Sequence, residues 1–160
     1  MKKTNKTSNP LAGPERHKTC CGITSSYREG KCSLIFPEKS EKWVCLSGTK
    51  YQENHQREGK LSDLAFFWVM SKGDEVRAYA IELKGGGAKP GQVVEQLQKG
   101  ADLIHKVMES IPVTFVPVLV HASLTTLQIR DLKRARITFR GKSYMISLAR
   151  CGSHLSQVRV

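Results

Sequence analysis

Acidic residues are scarce in this chain. Fourteen Asp and Glu stand against 26 Lys and Arg over 160 residues, giving a formal charge of +12 and an isoelectric point of about 9.7. Such a surface favours a polyanion, either nucleic acid or an acidic membrane, over an acidic partner. The plainer alternatives are a solubilising charge or association with ribosomes. Long apolar runs are also missing. No stretch approaches the ~20 residues of a membrane helix, and the basic start MKKTNKTSNP has no apolar segment behind it. A signal peptide is therefore not expected, and the reading is a cytoplasmic protein without a membrane partner.

Cysteines are few and odd in number: Cys20, Cys21, Cys32, Cys45 and Cys151. An odd count in a cytosolic chain argues against a disulfide framework. No C-x-x-C pair occurs. A zinc site from Cys20 or Cys21 with Cys32, Cys45 and a histidine matches no tight zinc spacing, so small buried thiols are the expected use. Nucleophile-elbow, HExxH, EF-hand and Walker signatures are absent as well. The length suits one domain with its own core.

What the chain does have is a charged cluster on an apolar hairpin. Residues 64–70 are almost wholly apolar and aromatic, 76–83 are rich in Val, Ala, Tyr and Ile, and a polar Gly-containing turn, 72–75, separates them. Folding about Gly73–Asp74 sets Asp63 opposite Lys84. Side chains alternate along a strand, so Glu82 and Lys84 share a face, and directly opposed residues share one too. Asp63, Glu82 and Lys84 are thereby expected to converge at the open end of the hairpin, where an apolar sheet has no structural need for charge.

Asp63, followed 19 positions later by Glu82-Leu83-Lys84, resembles the D…ExK signature of the PD-(D/E)XK nuclease superfamily, which includes restriction endonucleases, Holliday-junction resolvases and RecB-type nucleases. The resemblance covers roughly residues 60–120. The acid begins one strand, the E-x-K ends the next, and a Gly-rich break and a helix follow. Ser62 stands where the family usually has Pro. The resemblance implies an α/β (α+β) fold, a restriction-endonuclease-like mixed β-sheet flanked by helices. It implies a metal-dependent endonuclease acting on DNA, with Mg²⁺ or Mn²⁺ held by Asp63, Glu82 and the backbone carbonyl of Leu83. Lys84 would then orient the attacking water or offset phosphate charge. In the RecB-like branch a glutamine on the following helix lies near the active site, and of Gln92 and Gln96, which share a helix face, Gln96 is the better-placed match. A homodimer is compatible with symmetric DNA cutting. The alternatives are a non-catalytic nucleic-acid-binding module on the same fold and an RNA-binding protein.

The remaining segments fit one nuclease domain over 20–160 behind a basic, mobile arm over 1–19. Residues 32–36 and 43–46 read as short strands. Residues 48–60 form either a loop or a short helix carrying Glu53, His55 and Glu58; the two acids are the nearest candidates for a further metal-site carboxylate, though solvated surface acids are the favoured reading. Gly85-Gly86-Gly87 connects strand to helix, or lets a phosphate approach the site. Pro90 opens an amphipathic helix over 90–110, with an apolar stripe from Val93 to Met108. Residues 113–120 read as a buried strand in which Pro117 favours an edge or a bulge. A helix over 124–135 and a hairpin of 136–139 with 143–148 complete the chain. Arg130, Lys133, Arg134, Arg136, Arg140, Lys142, Arg150 and Arg159 face a single acid, Asp131, over 130–160. That field reads as a wall for phosphates or as a solvated surface. His105 reads as packing or surface. So does His121, although it follows the buried strand at a position that often borders a site.

Overall fold

The computed structural model describes residues 9–17, 25–38, 40–55, 60–70 and 75–160. Its centre is a five-stranded mixed sheet. In spatial order it contains β3 (Trp43–Ser47), β4 (Leu64–Val69), β5 (Val76–Lys84), β6 (Thr114–His121) and β9 (Ser147–Arg150). The pairs β3–β4 and β4–β5 are antiparallel; β5–β6 and β6–β9 are parallel. The class is the expected mixed α and β architecture. Helix α3 (Pro90–Met108) connects β5 to β6, and α4 (Thr126–Arg134) follows β6. Pro90 starts α3, where its missing N–H costs nothing. Val93, Leu97, Ala101, Ile104 and Met108 form the buried stripe of that helix.

The two faces of the sheet are covered differently. One face (Ala65, Phe67, Ala78, Ala80, Phe115 and Leu119) packs under α3, with Leu132 of α4 and Tyr51 of α2 (Gly48–His55) in the same core. The other face (Leu64, Phe66, Tyr79, Ile81, Val118 and Val120) packs against Cys32 and Leu34. Those two belong to a small sheet of β1 (Ser26–Glu29), β2 (Cys32–Ile35) and β10 (Ser153–His154). Leu11 and Pro14 of the N-terminal segment expected to be a mobile arm are buried, and α1 (Ala12–Glu15) lies against α3; residues 1–8 and 18–19 of that segment lie outside the described residues. No helix among the described residues is long and apolar enough to cross a membrane.

Several expectations need correcting. The β4–β5 register pairs Leu64 with Ile81 and Val69 with Val76, two residues away from that expected, so Asp63 comes level with Glu82 rather than Lys84. A slip of two leaves every side chain on its expected face. The turn on which the expected register rested, Lys72 to Asp74, lies outside the described residues. Pro117 sits inside an interior strand, yet β6 pairs with β9 only from Val118 onward; at Pro117 only the β5 side is occupied. The expected 143–148 strand is divided: β7 (Arg136–Phe139) and β8 (Lys142–Met145) form their own hairpin, and β9 joins the main sheet. Arg140 and Gly141 at that hairpin's turn both have positive φ, 50° and 75°, as a two-residue turn with the twist of a hairpin requires. Finally, Cys32 and Cys151, read as free thiols, form a disulfide that ties β2 to the residue after β9. Cys45 is buried; Cys20 and Cys21 lie outside the described residues.

Candidate active site

Asp63 is held at the mouth of the sheet by backbone contacts. The Gly48 N–H donates to the Asp63 carbonyl at 2.8 Å, fixing the start of α2 against residues 62 and 63. A Cβ at Gly48 would collide with the Ser62 carbonyl oxygen, and one at Gly100 of α3 would collide with the Ser62 hydroxyl. Both glycines therefore permit the close approaches that frame Ser62 and Asp63. The Asp63 carboxylate accepts the Leu83 N–H at 2.8 Å, a donor that a longer β4 would have engaged. In return the Asp63 N–H donates to Glu82 Oε2 at 3.1 Å. At the end of the ladder the Asp63 carboxylate is thus locked to the Leu83 N–H and the Glu82 carboxylate to the Asp63 N–H.

Glu82 is only 1 % exposed, and Lys84 Nζ lies 2.7 Å from its Oε1. Burial holds the Glu82 carboxyl above its usual range, opposed by the bond and charge of Lys84. Burial, and then the neighbouring charge of Glu82, push Asp63 up to about 7; the Leu83 N–H and Lys84 oppose that rise. Glu29 at the end of β1 adds to the negative charge felt by both acids. Its carboxylate accepts the Tyr27 hydroxyl at 3.2 Å. In a strongly basic protein this is a local excess of acid: two adjacent carboxylates share one ammonium and feel the charge of a third acid.

Of the expected site residues, the structure brings Asp63, Glu82, Leu83 and Lys84 together. Gln96 is on α3, 8 % exposed, and its Oε1 has no hydrogen-bond partner among the described residues. Gly100 marks where α3 passes Ala80; Gln96, one turn earlier, lies toward the strand end that carries Glu82 and Lys84. Glu53 is exposed on α2 and is not among the charges acting on the acid pair. Glu58 lies outside the described residues. The acid that does act on the pair, Glu29, was not singled out from the sequence. Its signal was weak: of Ser26, Tyr27, Arg28 and Glu29 only Tyr27 is half-buried.

His121 ends β6 beside Lys84. It is 7 % exposed and its Nδ1 has no partner among the described residues. Burial and then the Arg150 charge lower its pKa. Gly85 lies against the β1–β2 turn, while Gly86 and Gly87 are exposed.

Chemically, the pair offers a hard-oxygen donor set, two carboxylates and the Leu83 carbonyl, of the kind Mg²⁺ accepts with water and substrate oxygens completing its shell. Burial raises both acids, and a cation bound between them would favour their charged forms. Among the described residues no group of three or more His, Cys, Asp or Glu is placed to hold a metal, so such an ion would rely on two carboxylates.

The expected basic wall is not one surface. Arg140 donates to the carbonyls of Glu109 and Ile111 at 2.6 and 2.7 Å, beyond the C-terminal end of α3. That end lies ~28 Å from the start of α3, which follows the strand that carries Glu82 and Lys84. Arg136 donates to the carbonyls of Lys133, Arg134 and Ala135 at the end of α4. These two guanidinium groups close helix ends. Arg150, by contrast, lies at the same strand end as Lys84.

Comparison with family models, curated proteins and solved structures yields no match.

Proposed function

We propose that the chain is a PD-(D/E)XK-like, metal-dependent endonuclease that hydrolyses phosphodiester bonds in DNA. The observation that carries this reading is the Asp63–Glu82–Lys84 cluster: two carboxylates with raised pKa, Asp63 accepting the Leu83 N–H and Glu82 the Asp63 N–H, and an ammonium 2.7 Å from Glu82. The order and spacing of D…ExK and the +12 charge support it.

Asp63, Glu82 and the Leu83 carbonyl would hold Mg²⁺ or Mn²⁺. When bound, such an ion lowers the pKa of a water and neutralises phosphate oxygens. The chain's own residues do the rest. The Leu83 N–H and the Asp63 N–H fix the orientation of the two carboxylates. Lys84, with its side chain 27 % exposed, presents its ammonium to solvent and substrate while anchored on Glu82. There it can hold the attacking water in line or offset charge developing on the phosphate. Gln96 brings an unpaired acceptor toward the same end of the sheet. A homodimer is part of the proposal for double-strand cleavage.

A second reading is a binding module that does not cut. Both Glu82 oxygens already have partners within the chain, Lys84 and the Asp63 N–H, so the cluster is satisfied as it stands. Plasmid cleavage with Mg²⁺ and with EDTA separates the two readings. RNA competition at matched salt addresses an RNA-binding role. A cytoplasmic location also belongs to the proposal, and the Cys32–Cys151 bond stands against it, because the cytosol keeps thiols reduced. Trapping thiols by alkylation in intact cells decides that point.

A further inference from the structure

The parallel half of the sheet carries a row of three nitrogen-bearing side chains that the proposed cleavage chemistry does not fully use. Lys84 of β5 pairs in register with His121 of β6, and His121 pairs with Arg150 of β9. Residues in register across neighbouring strands project to the same face. That face is the α3 side, because Ala80, Leu119 and Leu148, which share the parity of these residues, pack in or against the α3 core. Neighbouring strands lie ~4.8 Å apart, so the row spans ~10 Å across the strand ends. Arg150 is exposed and donates to the Ala122 carbonyl at 2.9 Å, which places its guanidinium over the end of β6. His121 Nδ1 is buried without a partner among the described residues. A buried polar atom in that state calls for a ligand, a water or an ion.

We propose that Arg150, two strands away from Lys84 in the same row, forms a phosphate-holding subsite that grips a backbone phosphate of the DNA next to the one being cleaved. The inference rests on the nuclease reading for its substrate, and adds Arg150 to the residues that touch it. The chemistry is that of a phosphodiester oxygen pair, to which the exposed guanidinium supplies forked N–H donors. The acid pair beside the row would repel a phosphate on its own, so the row offsets that repulsion and sets how far the backbone can approach.

The test is binding of a short fluorescent DNA duplex in EDTA, measured by anisotropy across a salt series. Each lost phosphate contact flattens the log–log salt dependence by about 0.9. Arg150→Ala is expected to lose about that much slope and to bind severalfold more weakly, while Arg150→Lys keeps most of the slope. A scan of duplexes carrying one uncharged methylphosphonate linkage should reveal one linkage that weakens wild-type binding and leaves Arg150→Ala indifferent. Wild-type slope in Arg150→Ala, or equal sensitivity of both proteins at every linkage, overturns the subsite. Because none of these assays requires cleavage, an inactive wild type would sink the nuclease reading and leave this test standing. Conversely, an active enzyme with an unchanged Arg150→Ala slope would sink the subsite alone.

Discussion

Replacing Asp63 by Asn should stabilise the protein at alkaline pH and do little at acid pH. Asp63 titrates at about 7 in the folded protein and at about 4 when unfolded. Between those values the folded state keeps a proton that the unfolded state has lost, so stability falls as pH rises through the window. An isolated shift of that size corresponds to up to about 4 kcal/mol. Asp63 is half-buried and shares its field with Glu82 and Lys84, so solvent and coupling reduce this to about 1–3 kcal/mol. Asn keeps the oxygen that accepts the Leu83 N–H and removes the charge. For a chain of this size each kcal/mol moves the melting temperature by about 2–4 °C, so Asp63→Asn should melt about 3–10 °C above wild type near pH 8.5. The gap should close near pH 4. Thermal unfolding by circular dichroism at both pH values reads this directly. A variant less stable than wild type at pH 8.5, or a gap that does not change with pH, would refute the claim that burial holds the Asp63 carboxyl well above its ordinary range.

Other consequences can be checked alongside. Arg140→Ala should cost about 1–2 kcal/mol in urea unfolding, because it strips the partners from two carbonyls beyond α3, and should leave DNA affinity near wild type; Lys133, Arg134 and Lys142, all exposed, are the better probes of phosphate contact on that flank. Reducing Cys32–Cys151, or Cys151→Ser, opens a link across 119 residues of chain; loop-closure entropy puts the loss at about 4–5 kcal/mol as an upper figure, read as a fall in the denaturation midpoint with reductant. Gly48→Ala forces a Cβ onto the Ser62 carbonyl and should cost about 1–3 kcal/mol. It should also displace Asp63, lowering any cleavage beyond what the stability loss explains.

The central hairpin and its charged end were legible because β4 and β5 are uninterrupted apolar segments and the face of each residue follows from parity alone. Their register was not, because it depended on a turn whose length the sequence leaves open. Helix α3 was legible from its stripe, and Gly100 within it is where the helix passes Ser62. Glu29 was missed because β1 is a mostly exposed strand that owes its existence to pairing with β2. The disulfide was missed because its partners meet only once β10 has returned to β2. Counting charge over 130–160 suggested a single field; Arg136 and Arg140 instead spend their N–H groups on helix-end carbonyls, and only geometry separates such residues from Arg150.

The central claim is that Asp63, Glu82 and Lys84 cut DNA with a divalent ion. The most direct measurement is supercoiled-plasmid cleavage in Mg²⁺ by wild type and Glu82→Ala, beside DNA binding by both in EDTA. The account predicts cleavage by wild type that EDTA abolishes, no cleavage by Glu82→Ala, and metal-free binding by the variant that is equal or tighter, because a buried negative charge has been removed from a basic protein. Cleavage that survives EDTA, or full activity in Glu82→Ala, would contradict it.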